Sequence, residues 1–173
     1  MPFKTERNAA LGVPASLGTP SGFIDTVAAL PIGTEVQMVD ETQGPGLFIY
    51  LPGCAATVAG DLCVYDLTPG AQLTARLTKD TNNNSGRSVV VALAATVAGT
   101  FGWYQRQGVA IVNAVAATVA GPMFASATAG QISSVADPGD QIIGGRISTA
   151  VGTPAAGKCY VSLNRPVIQG QIT

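Results

Sequence analysis

The chain has 173 residues, 47% of them apolar and only 11% charged, and its nine basic and ten acidic side chains leave a formal net charge of -1. That length builds one domain with a proper core, and so neutral and apolar a surface (mean hydropathy +0.34) is expected to be covered by partners. A nucleic-acid binder, which needs a basic footprint, is excluded on this balance. A membrane span needs about twenty uninterrupted apolar residues, and the nearest run, 108–125, is broken by Asn113, Gly121 and Pro122.

Residues 1–24 carry Lys4, Glu6 and Arg7 and then run from Ala9 to Gly22 in Ala, Gly, Pro and Ser. Such a stretch has too little apolar bulk to offset the entropy of ordering, so an extended N-terminal arm is expected, with Phe3 as an anchor on a neighbour. Pro14 and Pro20 leave no continuous apolar core for a secretory signal, which places synthesis in a cytoplasm.

From Asp25 onward the pattern is short strands between turn signals, the signature of an all-β, single-domain sandwich or barrel of antiparallel strands over 25–173. Val36 and Met38 alternate with Glu35 and Gln37, a turn is expected over Glu41 to Gly46, and Leu47 to Leu51 is continuously apolar, as in a strand buried on both faces. Leu62 to Leu67 reads as a strand, and Gln72 to Thr78 as one with Leu73, Ala75 and Leu77 buried and Thr74 and Arg76 wet. Lys79 to Arg87 is a polar loop, Ser88 to Leu93 and Thr100 to Val112 are strands, and Met123 to Ala127 follows. Ala129 to Gly145 is loop-rich around the turn at Asp137-Pro138-Gly139-Asp140. Lys158 to Asn164 alternates, Arg165 and Pro166 interrupt it, and Val167 to Ile172 is expected as an edge strand or a tail along a neighbour.

The hexapeptide Ala-Ala-Thr-Val-Ala-Gly occurs three times, at 55–60, 94–99 and 116–121. Each copy follows an apolar residue (Cys54, Leu93, Val115) and meets another two residues past its glycine (Leu62, Phe101, Met123). The copies begin 39 and 22 residues apart, which rules out a solenoid or propeller of fixed period. The expectation is one strand-turn-strand device reused within a domain, the terminal glycine permitting a tight turn or a close approach.

Candidate chemistry is sparse. There is no histidine, which removes Ser-His-acid and Cys-His nucleophile pairs, so no enzyme and no cofactor is expected. Asp25-Thr26 has the start of an aspartic-protease loop, but Val27 stands where that loop needs glycine, and the chemistry needs a second carboxylate sharing the proton. Asp80, Asn82 and Asn84 fall at calcium-loop spacing, yet Ser85 and Val91 replace the required glycine and glutamate. Asn83-Asn84-Ser85 is formally a glycosylation acceptor, which without a secretory signal stays unused. Asp40 with Glu41 and Asp137 with Asp140 lie in turns, where Asp caps its own backbone. Phe101, Trp103 and Tyr104 form the aromatic cluster, read as core or, alternatively, as a sugar-stacking platform. Cys54, Cys63 and Cys159 make an odd count with no zinc pattern and are expected to be buried, reduced and apolar.

Phe101-Gly102-Trp103-Tyr104-Gln105, Gly108-Val109-Ala110, Ala129-Gly130, Gly139-Asp140 and Leu163-Asn164-Arg165-Pro166 together resemble small virion proteins of tailed bacteriophages that decorate the capsid. The resemblance covers most of residues 33–172. It implies a cement protein without catalytic residues, bound as a homotrimer to the major capsid protein on the capsid exterior, where it holds neighbouring capsomers against internal DNA pressure. On that reading Phe3, Lys4 and Arg7 of the arm, and Val167, Ile168 and Ile172 of the tail, make the capsid or inter-subunit contacts, by strand addition where an edge is free. The rival readings are another virion part, a head-fibre base or tail protein, and a carbohydrate-binding β-sandwich using Trp103 and Tyr104.

Overall fold

The computed structural model of the protein describes residues 3–5, 16–17, 24–40, 44–79 and 86–169. The described residues form twelve strands and no helix: β1 (Phe3–Thr5), β2 (Ser16–Leu17), β3 (Glu35–Asp40), β4 (Gly44–Pro52), β5 (Leu62–Asp66), β6 (Leu73–Arg76), β7 (Ser88–Ala92), β8 (Phe101–Asn113), β9 (Gly121–Ala125), β10 (Ile132–Ser133), β11 (Gln141–Ile147) and β12 (Lys158–Ile168). Every strand ladder is antiparallel, so the fold is all-β.

The strands follow the order β10-β9-β11-β12-β7-β8-β4-β3-β1-β2, with β5 and β6 branching from β7 and β12 also pairing β8. Long β8 does the joining: Phe101 to Gln107 pair with β4, Tyr104 and Gln105 with β7, and Gln107 to Asn113 with β12. The sheet folds back on itself. Leu62 and Val64 of β5 pack in one core with Met123 and Ala125 of β9 and Ile142 and Ile147 of β11, strands they do not pair with. Backbone bonds from Lys79 N to Ser126 O and from Gly130 N to Leu77 O draw the end of β6 to the β9–β10 connection.

The sequence pattern explains the layers. On β5 and β7, Leu62, Val64, Val89 and Val91 face that first core, whereas Cys63, Tyr65, Val90 and Ala92 face a second one with Ile49, Leu51 and Tyr104. Strand β4 is likewise shared, because Phe48 and Tyr50 turn to a third cluster with Val36, Met38 and Trp103. Continuous apolar runs are therefore the strands with cores on both sides. Alternating β12 buries Cys159, Val161 and Leu163 and exposes Ser162 and Asn164, as one-sided strands do.

Four local expectations change. Strand β4 begins at Gly44, so the expected turn contains strand residues. Pro45 pairs with Val39 on one side and lies before the β8 ladder begins at Leu47, where its missing N–H costs no bond. Strand β11 fills a stretch expected to be loop, its alternation hidden by Gly144 and Gly145. Strand β12 continues through Arg165 and Pro166: Gly144 alone faces Asn164, Arg165 and Pro166, a bulge with Arg165 at φ 46° that absorbs the proline. A Cβ on Gly144 would stand 2.6 Å from the Asn164 carbonyl oxygen, so this crossing needs glycine. On β6, Ala75 and Leu77 turn to the first core as expected, but at the start of the strand Thr74 is buried and Leu73 exposed.

Candidate functional site

The three hexapeptides each connect two strands: β4 to β5, β7 to β8 and β8 to β9. In every copy the threonine is buried and the following valine exposed. Thr57, Thr96 and Thr118 are at most 2% accessible, while Val58, Val97 and Val119 are 49%, 45% and 56% accessible. The threonine is a polar peg. Thr57 donates to the Cys54 carbonyl at 2.9 Å and Thr118 to the Val115 carbonyl at 2.8 Å, and Thr96 is bonded to the Tyr104 hydroxyl at 2.5 Å.

Backbone bonds place the copies in a row, with the first between the other two. Cys54 N donates to Thr96 O and Gly53 N to Thr100 O on the second copy's side, at 3.1 and 2.7 Å. On the other side Asn113, one residue before Ala114-Val115 and the third copy, donates from its N to Gly60 O at 2.9 Å. Gly53 meets the second copy so closely that a Cβ would stand 2.3 Å from Val97 O. Val119 N donates to Ser134 Oγ at 3.1 Å, which brings exposed Val135 beside the third copy. The result is a rim of exposed Val and Ala held on a rigid backbone.

A buried polar centre stiffens this row from beneath. Asp61, directly after the first copy, is buried, accepts hydrogen bonds from Val58 N and Asn113 Nδ2 at 3.0 and 2.8 Å, and forms an ion pair with Arg76, whose Nε lies 2.7 Å away. Arg76 Nη2 also donates to Ala129 O at 2.6 Å. Gly130 is held so close to Asp61 that a Cβ would stand 2.5 Å from Asp61 Cγ. A buried carboxylate paired in this way positions elements and is costly to break. Nothing in the spacing of 61, 76 and 113 announces it.

Two thiols adjoin that centre. Cys54 and Cys63 both lie in the second core; Cys63 Sγ is 4.0 Å from the Asp61 carbonyl oxygen, and Thr57 Oγ1 lies 2.8 Å from Cys54 Sγ. Cys54 is held below the ordinary thiol value, chiefly by the neighbouring Cys63 thiol; Thr57, the Arg76 N–H and the Arg76 charge act in the same direction, against burial. Cys63 is pushed well above, by the neighbouring Cys54 thiol, by burial and by the Cys54 and Asp61 charges. Cys159 stands alone in the first core, and burial raises it to about 11. All three are buried and free.

The remaining candidates are used structurally. Trp103 packs edge-on against Tyr50 at 5.4 Å, and Tyr104 lies on the opposite face of β8 in the second core; both rings are buried, so neither offers a face to a sugar. Asp25 accepts the Tyr50 hydroxyl at 2.5 Å, which together with burial, the larger cause, raises that phenol to about 12. Asp137 pairs with Lys79 at 2.7 Å, and Glu35 with Arg106. Among the described residues no group of three or more His, Cys, Asp or Glu could hold a metal, and no helix is long and apolar enough to cross a membrane. The calcium-like spacing at Asp80, Asn82 and Asn84 and the acceptor at Asn83 lie outside the described residues, as does Glu41. A cleft of about 290 Å³ beside Gln107 and Gly108 gathers only amides, backbone and apolar side chains.

Of the expected contact residues, Phe3 and Lys4 lie in β1, which pairs with β2 and with Val39 and Met38 of β3. Arg7 and Ile172 lie outside the described residues. Val167 is half-buried and pairs with Ile143 and Ser88, so it sits in mid-sheet, not at an edge. Ile168 is 1% accessible and belongs to the chain's own core, which removes it from the contact surface. Sequence reasoning isolated the hexapeptides but not their exposed valines, because exposure depends on which side the threonine pegs. Comparison with protein-family models, with curated proteins and with solved structures finds no match to this chain.

Proposed function

We propose that this chain is a structural virion protein that binds the exterior of a tailed-bacteriophage capsid, as trimers seated on the major capsid protein, and holds neighbouring capsomers together. The observation that carries the reading is the row of three exposed Val-Ala turns of identical sequence. The fold accounts for the buried threonine and the close-packed backbone, but it makes no use of the valine side chain that is presented three times. A repeated contact has most value against a repeated partner: each valine contributes on the order of 1 kcal/mol when its exposed half is covered, and a lattice adds such small terms through multivalency. The action is mechanical, and no bond is made or broken.

The test uses purified full-length protein, its mass measured by light scattering, and capsids from its source freed of it. A trimer that saturates the capsid at a regular stoichiometry is expected. The combined variant Val58→Ser, Val97→Ser, Val119→Ser should keep its circular dichroism and bind about a hundredfold more weakly, the loss of roughly 3 kcal/mol. A monomer that ignores capsids overturns the function, and a variant that binds like wild type moves the contact off the row. Removing residues 2–22 measures separately what Phe3, Lys4 and Arg7 contribute.

A further inference from the structure

Four neighbouring strands, β9, β11, β12 and β8 in that order, turn one face to the first core and the other to solvent. None of the four contains aspartate or glutamate, yet they carry Arg106, Arg146, Lys158 and Arg165. Arg106 is taken by Glu35 of β3, and Arg165 stands 4.0 Å from the same carboxylate. Arg146 and Lys158 are left over: neither forms an ion pair among the described residues. Alternation puts both on the solvent face, because the next residues, Ile147 and Cys159, lie in the first core. Asp61, which is bonded to Asn113 beside Lys158, is buried and already paired with Arg76. Arg146 sits in mid-sheet between Ser162 of β12 and Pro122 of β9, and Ser162 in turn faces Val109 of β8. The same face presents exposed Val109 and Ile143, 37% and 51% accessible, and half-buried Ile111 and Tyr160. Opposite charges across strands stabilise a wet antiparallel face, and these strands supply none. An unpaired arginine amid apolar and tyrosyl side chains has the make-up of an interface centre, where Arg and Tyr are enriched.

We propose that the outer face of β9-β11-β12-β8 docks a protein surface in which carboxylates lie among apolar side chains, with Arg146 as the central contact and Lys158 as the outer one. Charge complementarity selects that partner: an apolar face whose unpaired charges are all positive rejects a basic surface and leaves its cations unmatched against a neutral one. Lys158 and Ser162, the neighbour of Arg146, are separated along β12, which sets the two cations about 13 Å apart along the strand and lets them meet two separate carboxylates. The surface shares no residue with the valine row, so a partner here is additional to whatever covers Val58, Val97 and Val119.

The experiment measures binding of the purified full-length protein to an immobilised random copolymer of glutamate and tyrosine, which offers carboxylates among apolar rings, with polylysine and heparin as comparison surfaces. Binding to the copolymer and none to polylysine is expected, weakening about tenfold as salt rises from about 0.05 M to about 0.5 M. Arg146→Gln should weaken it about tenfold and Lys158→Gln about threefold, with circular dichroism unchanged because both side chains face solvent. Lys79→Gln removes a cation from outside this face and should leave binding as it is. No binding to the copolymer overturns the proposal. So does tighter binding to heparin, which would mark a site for sulfated polysaccharide, and so does an equal loss from Lys79→Gln, which would reduce the effect to net charge.

Discussion

The first and third hexapeptides differ from the second in conformation although their sequences are identical. In the first and third, the second alanine is left-handed, Ala56 at φ 59° and Ala117 at φ 64°, and the threonine bonds a carbonyl three residues back. In the second, Ala95 keeps a negative φ and Thr96 takes the Tyr104 hydroxyl as its partner. A buried phenol, available only where β7 passes to β8, thus outweighs the local turn. What survives in all three is the peg and the exposed valine, so the unit preserved by the repeat is a direction for side chains and not a set of dihedrals.

The largest break in this comparison should come from Asp61→Ala, which removes the anchor between the first copy and the shoulder of the third. It leaves Arg76 and Asn113 without their shared partner, a loss of about 3–5 kcal/mol for a buried pair, at the lower end because Arg76 is partly wet. Urea denaturation should show it, and an effect below about 1 kcal/mol would mean that the centre contributes no net stability. Next comes Thr96→Val, expected to cost about 1–2 kcal/mol, since the buried Tyr104 hydroxyl keeps only a 3.4 Å contact with Pro52 O. Thr57→Val and Thr118→Val remove a local bond and should cost about 1 kcal/mol or less each. Equal losses at all three sites would show that the phenol adds nothing beyond the local turn.

Much of this fold was legible in the sequence because its middle strands are unbroken apolar runs: Leu47 to Leu51, Leu62 to Tyr65 and Val89 to Ala92 give themselves away by length and branching. Less was legible where glycine or proline sits inside a strand. Gly144-Gly145 concealed β11, and Arg165-Pro166 cut β12 short, because a bulge satisfies a proline that an unbroken ladder would reject. On β6 the alternation was right for Ala75 and Leu77, which face the first core, and failed only at the start of the strand, where Leu73 is exposed and Thr74 buried. The site was legible only as repetition. The row of copies and the Asp61 centre join residues from separate strands, and no local spacing encodes such meetings.

The smallest and sharpest test exchanges the second alanine of each copy for glycine. An L-residue in the left-handed region carries a cost of roughly 1–2 kcal/mol, whereas glycine at a position with ordinary dihedrals loses roughly 0.5–1 kcal/mol to backbone entropy. Ala56→Gly and Ala117→Gly should therefore stabilise the protein by about 0.5 kcal/mol each, and Ala95→Gly should destabilise it by a similar amount. Opposite signs from one substitution in one hexapeptide, read as shifts of the denaturation midpoint at unchanged slope, would establish that tertiary contact selects the turn. If all three substitutions shift the midpoint the same way, the copies share one conformation and the distinction drawn from Tyr104 is lost.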